Sequence, residues 1–290
     1  MADRFPAAPP ETAGMPASSP AAPLAQFVRR HDPDRFLCAL FAPAARRDAL
    51  FALLAYNHEL ARAREAARTP MVALMRLQWW RDAVADAAAG RPPRRHEVAA
   101  PLAEAICAGL LDPPDLLALA DARESEAEEE EDAMPTLSAF AAYLRGTAGA
   151  LQVAAGRLLG APPDALPGLL RRGTAYGAAG VLRAVPALAR QGRCLLPADA
   201  LAAHGLSACK VIQNPVAAAL RGVAADLLAE AELRAPPAER VPGRWIAAAL
   251  PAVLARRDRK RLASVGAPAE AVRTAGDRFA VTLAALRCRA

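Results

Sequence analysis

The stretch RRDALFALLAYNHELARARE, residues 46–65, decides the fold class. Leu50, Leu53, Leu54, Asn57, Leu60 and Ala61 recur at the three- and four-residue steps that put side chains on one face of an α-helix. Such a helix must bury its apolar face against other elements, and its neighbours carry the same spacing. Upstream, Phe36, Leu37, Leu40 and Phe41 form the stripe of a short helix stopped by Pro43. Downstream, helical periodicity between Pro and Gly breaks predicts helices over 72–89, 98–111, 114–123, 137–159, 166–189, 216–233, 244–262 and 269–287. No run alternates long enough for a sheet.

Composition agrees. The chain has 290 residues, 54% of them apolar, which is ample for a core. Alanine is its commonest residue and aromatics make up only 4%, a balance that favours helices and excludes an all-β fold. No internal repeat of solenoid period is present, so the expectation is all-α, one helical bundle over residues 27–290. Residues 1–26 are rich in Pro, Ala and Ser without periodicity, and are expected to be a disordered tail.

Several function classes are excluded. The net charge of +6, almost wholly arginine with Lys210 and Lys260 the only lysines, reads as too mild and dispersed for nucleic acid. The cysteines at 38, 107, 194, 209 and 288 form no CxxC pair, so neither a zinc site nor a disulfide framework is expected. The longest apolar run, 245–255, is broken by Pro251 and falls short of the ~20 residues that cross a bilayer. Acids and prolines occupy the N-terminus where a signal peptide needs an apolar core. The expected location is therefore cytoplasmic, with at most peripheral contact at the inner face of the cytoplasmic membrane. The acidic run 124–132, with seven carboxylates in nine residues, is expected to be a solvated helix end or loop. His31, His58, His96 and His204 have no partner at ligand spacing and are assigned to surface or packing roles.

Four stretches occur in an order and at spacings that resemble the squalene/phytoene synthase family: residues 46–65, LMRLQWWRD (74–82), AYLRGTAG (142–149) and GRCLLP (192–197). The resemblance covers roughly residues 27–270. It implies an isoprenoid-synthase-like bundle in which two aspartate-rich motifs on facing helices hold Mg²⁺ against prenyl diphosphates, because a departing diphosphate needs its charge neutralised. Laid on this chain, the first motif falls on Ala61, Arg62 and Glu65 and the second on Ala184 and Leu188. Only Glu65 keeps a carboxylate, and no Asp or Glu occurs between Arg171 and Leu196. Arg62 is expected beside the first metal position, where its charge disfavours Mg²⁺.

AYNHELA (55–61), LMRLQWW (74–80) and LRAVP (182–186) resemble one branch of that family, a mitochondrial complex I assembly factor with a phytoene-synthase-like domain and its bacterial relatives. That implies a non-catalytic assembly or scaffold factor for respiratory complex I, partnered by complex I subunits or assembly intermediates and needing no cofactor. Two alternatives stay open: a divergent head-to-head prenyltransferase, which needs Mg²⁺, and a prenyl-lipid binding protein. Asn57, Arg76, Trp80, Arg81, Tyr143, Arg183 and Arg193 are the candidate pocket or partner-binding residues. Trp79 and Trp80 point about 100° apart on a helix, so at least one belongs to the core. Gly146 and Gly149 are expected to permit close helix approach.

Overall fold

The computed structural model describes residues 21–67, 69–128, 134–216, 218–265 and 273–290. The described residues fold into helices: α1 (Ala21–His31), α2 (Pro33–Ala39), α3 (Ala44–Glu65), α4 (Pro70–Ala88), α5 (Ala99–Cys107), α6 (Pro113–Asp121), α7 (Glu124–Glu128), α8 (Leu137–Leu144), α9 (Ala150–Leu158), α10 (Leu166–Arg190), α11 (Ala198–Ala203), α12 (Ala208–Gln213), α13 (Leu220–Ala229), α14 (Ile246–Ala249), α15 (Pro251–Val265) and α16 (Ala275–Leu286). No strand ladder forms among them; the only β pairing is an isolated antiparallel bridge between Arg240 and Arg289.

Local chemistry sets the ends. Thr69 accepts from the Val72 N–H while Pro70 opens α4, and Thr274 and Asp277 form a reciprocal capping box on α16. Gly192, at φ 73°, takes the left-handed conformation that ends α10 and starts the GRCLLP turn. The helix predicted over 137–159 runs without a gap in sequence but contains a π-turn, Arg145–Gly149, where the Ala150 N–H reaches back to the Arg145 carbonyl.

The 25-residue α10 organises the bundle, packing on α8, α9, α15, α12 and α13. Its Ala175 and Tyr176 belong to one apolar core and its Ala178, Ala179, Leu182 and Val185 to a second. It crosses the π-turn almost backbone to backbone: a Cβ on Gly173 would stand 2.4 Å from the Ala148 carbonyl oxygen and 2.8 Å from the Gly149 Cα. Gly149 and Gly146 are equally tight, at 2.8 Å from Thr174 and Ala122, which is the close approach expected of them.

Two expectations are corrected. Order begins before residue 27: α1 starts at Ala21, and Leu24 and Val28 are buried, because Leu24, Phe27, Val28 and His31 recur at helical steps that the prolines upstream obscure. The expected tail over 1–20 lies outside the described residues. The acidic run is not wholly solvated: Glu124–Glu128 form a helical turn and Glu126 is buried, while residues 129–133 lie outside the described residues. His31 stacks on His58 with ring centroids 4.5 Å apart, a packing contact.

Candidate functional site

Two helix faces meet across a cavity of about 320 Å³. From α3 it receives Asn57, Ala61 and Glu65, one residue per turn, and from α10 Gly177, Gly180, Val181, Ala184 and Leu188, again one stripe. Tyr143, Leu144 and Thr147 come from the end of α8 and the π-turn, and the GRCLLP turn adds Arg193 and Leu195. Both motif registers laid out from sequence therefore face one space.

Much of the charge in this space is internally paired. Glu126, 6% exposed, accepts from Arg123 at 2.6 Å, from the Tyr143 hydroxyl at 2.6 Å and from Arg193 at 3.2 Å. Burial pushes its carboxyl up, yet Arg123, the Tyr143 hydroxyl and Arg193 outweigh that and hold it below the ordinary glutamate value. Burial pushes the Tyr143 phenol up, so it stays protonated and donates. Glu126 is thus an ionised carboxylate engaged by three donors of the chain itself.

A second ion cluster forms a wall of the same cavity. Arg35 bonds Asp32 at 2.9 Å and lies 4.6 Å over the Tyr176 ring, and the Tyr176 hydroxyl donates to Asp34 at 3.0 Å. Arg273 bridges Asp34 and Asp258 with both ends of its guanidinium, at 2.7 and 2.5 Å. Arg183 stands 3.2 Å from Asp258 and 3.5 Å from Asp34. Its Nε is buried and, despite the 3.2 Å approach to Asp258, makes no properly directed hydrogen bond. Asp32, Tyr176 and Arg183 also line a larger cavity of about 910 Å³ between α2 and α16, so the cluster is a partition.

The structure brings Ala61, Glu65, Ala184, Leu188, Asn57, Tyr143, Arg183 and Arg193 to the first cavity. It places Arg62 elsewhere: that side chain is 47% exposed and stands 3.6 Å from Glu59, one helical step away from the wall, which corrects its expected place beside a metal position. Arg81 bonds Asp121 and Glu124 on the outer side. Trp80 is buried between Tyr56 and His96, and Arg76 borders a small outer pocket beside it. Among the described residues no three His, Cys, Asp or Glu side chains converge as a metal site requires. Sequence reading missed Asp32, Arg35, Arg123, Glu126, Thr147 and Tyr176; the i, i+3 spacing of Arg123 and Glu126 was the one available signal for that pair.

The sequence model for squalene/phytoene synthases matches residues 28–282. The chain belongs to that family. Solved family folds superpose over most of the chain. A squalene synthase from Alicyclobacillus acidocaldarius has a TM-score of 0.61 at 16% identity, covering 93% of this chain and 90% of that one. A dehydrosqualene synthase gives 0.58 at 15%, covering 93% and 83%. Identities this low speak for the fold alone. Curated relatives similar to this family member carry a different name. "NADH dehydrogenase (ubiquinone) complex I, assembly factor 6" of Rattus norvegicus is 29% identical over 230 residues, 79% of this chain and 68% of that protein. Its Homo sapiens counterpart is 28% identical over 209 residues, 72% of this chain and 62% of that protein. The chain thus spans about two thirds of the length of these relatives, and less than that of the human one.

Proposed function

We propose that this family member is a non-catalytic assembly or scaffold factor acting in the biogenesis of respiratory complex I. The observation that carries the reading is that the cavity's buried carboxylate is engaged by the chain's own groups: Glu126 is held by Arg123, Arg193 and Tyr143. Arginines paired in this way are not free to take up the charge of a diphosphate. Magnesium binds through hard oxygens, usually one or two carboxylates together with phosphates and waters. Ala61, Ala184 and Leu188 supply none, and of the three carboxylates that line the cavity Asp32 is held by Arg35 and Glu126 by Arg123, Tyr143 and Arg193, which leaves Glu65. This donor set does not fit a magnesium cluster. The names of the curated relatives support the same reading from a separate side.

The apolar stripe Val181, Ala184, Leu188 and Leu195 in the cavity favours, as a second reading, a prenyl-lipid binding protein. The test separates the readings. Deleting the gene should lower assembled complex I on native gels with squalene and carotenoid levels unchanged. Purified protein given farnesyl or geranylgeranyl diphosphate with Mg²⁺ should yield no condensed product. Turnover on the order of 1 s⁻¹ overturns the non-catalytic reading, and unaltered complex I together with saturable prenyl-chain binding transfers the function to lipid binding.

A further inference from the structure

The charge of the chain is not dispersed. Residues 251–290 carry nine basic and three acidic residues, and the remaining 250 carry 27 of each, so the whole net charge of +6 resides in the segment of α15 and α16. The two described acids of that segment are consumed inside the fold. Asp258 is held by Arg273 and Arg183, and Asp277 by Arg257 and Arg261; Glu270 lies outside the described residues. What remains exposed is basic: Arg259, Lys260, Arg278, Arg287 and Arg289.

The same segment carries the two most exposed large apolar side chains of the described chain, Phe279 at 67% and Leu286 at 75%. They are not scattered. On α16 the buried positions are Asp277, Val281 and Ala285, and half a turn round the helix Phe279, half-buried Leu283 and Leu286 form an outward stripe. Arg278 lies on one flank of that stripe and Arg287 on the other. An apolar ridge edged by arginines suits a lipid surface: the ridge enters the acyl boundary while the long basic side chains reach back to the phosphates. A second copy of the chain would bring a like-charged patch against this one, which charge repulsion opposes. No described helix is long and apolar enough to cross a membrane, so contact of this kind is peripheral.

The geometry points to the outer face of α16, its apolar stripe edged by Arg278 and Arg287, as a docking surface for an anionic phospholipid membrane. It is independent of whether the cavity is catalytic and of which partner the protein assembles.

The experiment is flotation of the full chain with phosphatidylcholine vesicles with and without phosphatidylglycerol. The protein should float with the anionic vesicles, remain behind with the neutral ones, and be released by salt. Phe279→Ala with Leu286→Ala should weaken anionic-vesicle binding on the order of tenfold or more. Arg278→Glu with Arg287→Glu should do the same by removing electrostatic attraction. All four side chains are exposed, so circular dichroism and melting should match wild type, and a variant that misfolds is replaced by its single substitutions. Absence of binding to phosphatidylglycerol vesicles overturns the proposal, as does binding that neither pair of substitutions changes. Retention on immobilised polyglutamate without vesicle binding also overturns it, assigning the patch to an acidic protein.

Discussion

Replacing Glu126 by Gln keeps the shape of the side chain and removes its charge, leaving Arg123 and Arg193 facing each other across a neutral amide. Their side chains are only 13% and 8% exposed, so solvent cannot take over from the carboxylate. Removing one member of a buried ion pair typically costs about 3–5 kcal/mol. The amide still accepts one hydrogen bond, which places Glu126→Gln near the low end, at about 3 kcal/mol, or a fall in Tm of roughly 5–10 °C. The effect has a pH signature. Because the folded-state pKa of Glu126 is depressed, its stabilisation is fully present above the unfolded value of about 4.3 and is lost as pH falls through the lower folded value. Urea denaturation of wild type and variant at stepped pH should therefore give a constant gap at pH 6–8 that closes below about pH 4. A variant as stable as wild type at pH 7, or a gap that stays constant in acid, would refute the argument that the chain's own cations hold the cavity's buried carboxylate.

Three further outcomes are expected. Arg273→Ala strips Asp34 and Asp258 of their bridging cation and should cost about 3 kcal/mol, with hydrogen exchange accelerating first in α16. Gly173→Ala and Gly180→Ala, on the same helix, should differ in sign. The first drives a methyl into the Ala148 carbonyl and should destabilise by about 2–3 kcal/mol, whereas the second meets open space and should gain about 0.5–1 kcal/mol, both read from denaturant midpoints. His58, whose pKa is lowered to about 4 by burial and then by His31 and Arg62, should titrate in that range by NMR. The unfolded chain takes up this proton near pH 6.5, so stability should decline as pH falls from about 6.5 towards 4, and His58→Gln should flatten that part of the profile.

The helical bundle was legible because its longest helices each expose an unbroken 3.6-residue rhythm over many turns, as at Leu50 to Ala61. The cavity walls were legible for the same reason: one stripe on α3 and one on α10, each at i, i+4 steps, had to face something. What sequence could not resolve is rotation by single residues and choice among equals. Ala61 reaches the cavity and Arg62 does not, although 100° of helix is all that divides them. Within seven crowded carboxylates, nothing local distinguishes Glu126; it turns inward because Arg193, 67 residues on, and Tyr143 wait there. The excess of arginines masked a further feature, since total charge hides the electroneutrality of most of the chain. The six-residue helices α11 and α12 are too short to show a period at all.

The π-turn at Arg145–Gly149 has a consequence for how this fold can change. An i→i+5 bond holds one residue more than an α turn does, so the faces of α8 and α9 are offset by about 100° across it. Loss of one residue between Tyr143 and Ala150 would leave an unbroken, unstrained α-helix with every remaining side chain intact. Yet it would swing α8 round its own axis, carrying Phe140 and Leu144 out of the second core and the Tyr143 hydroxyl away from Glu126. A single-codon deletion here would redraw the cavity wall in a way no substitution could, and a single-codon insertion at the matching place in a straight-helix relative would produce this wall in one step.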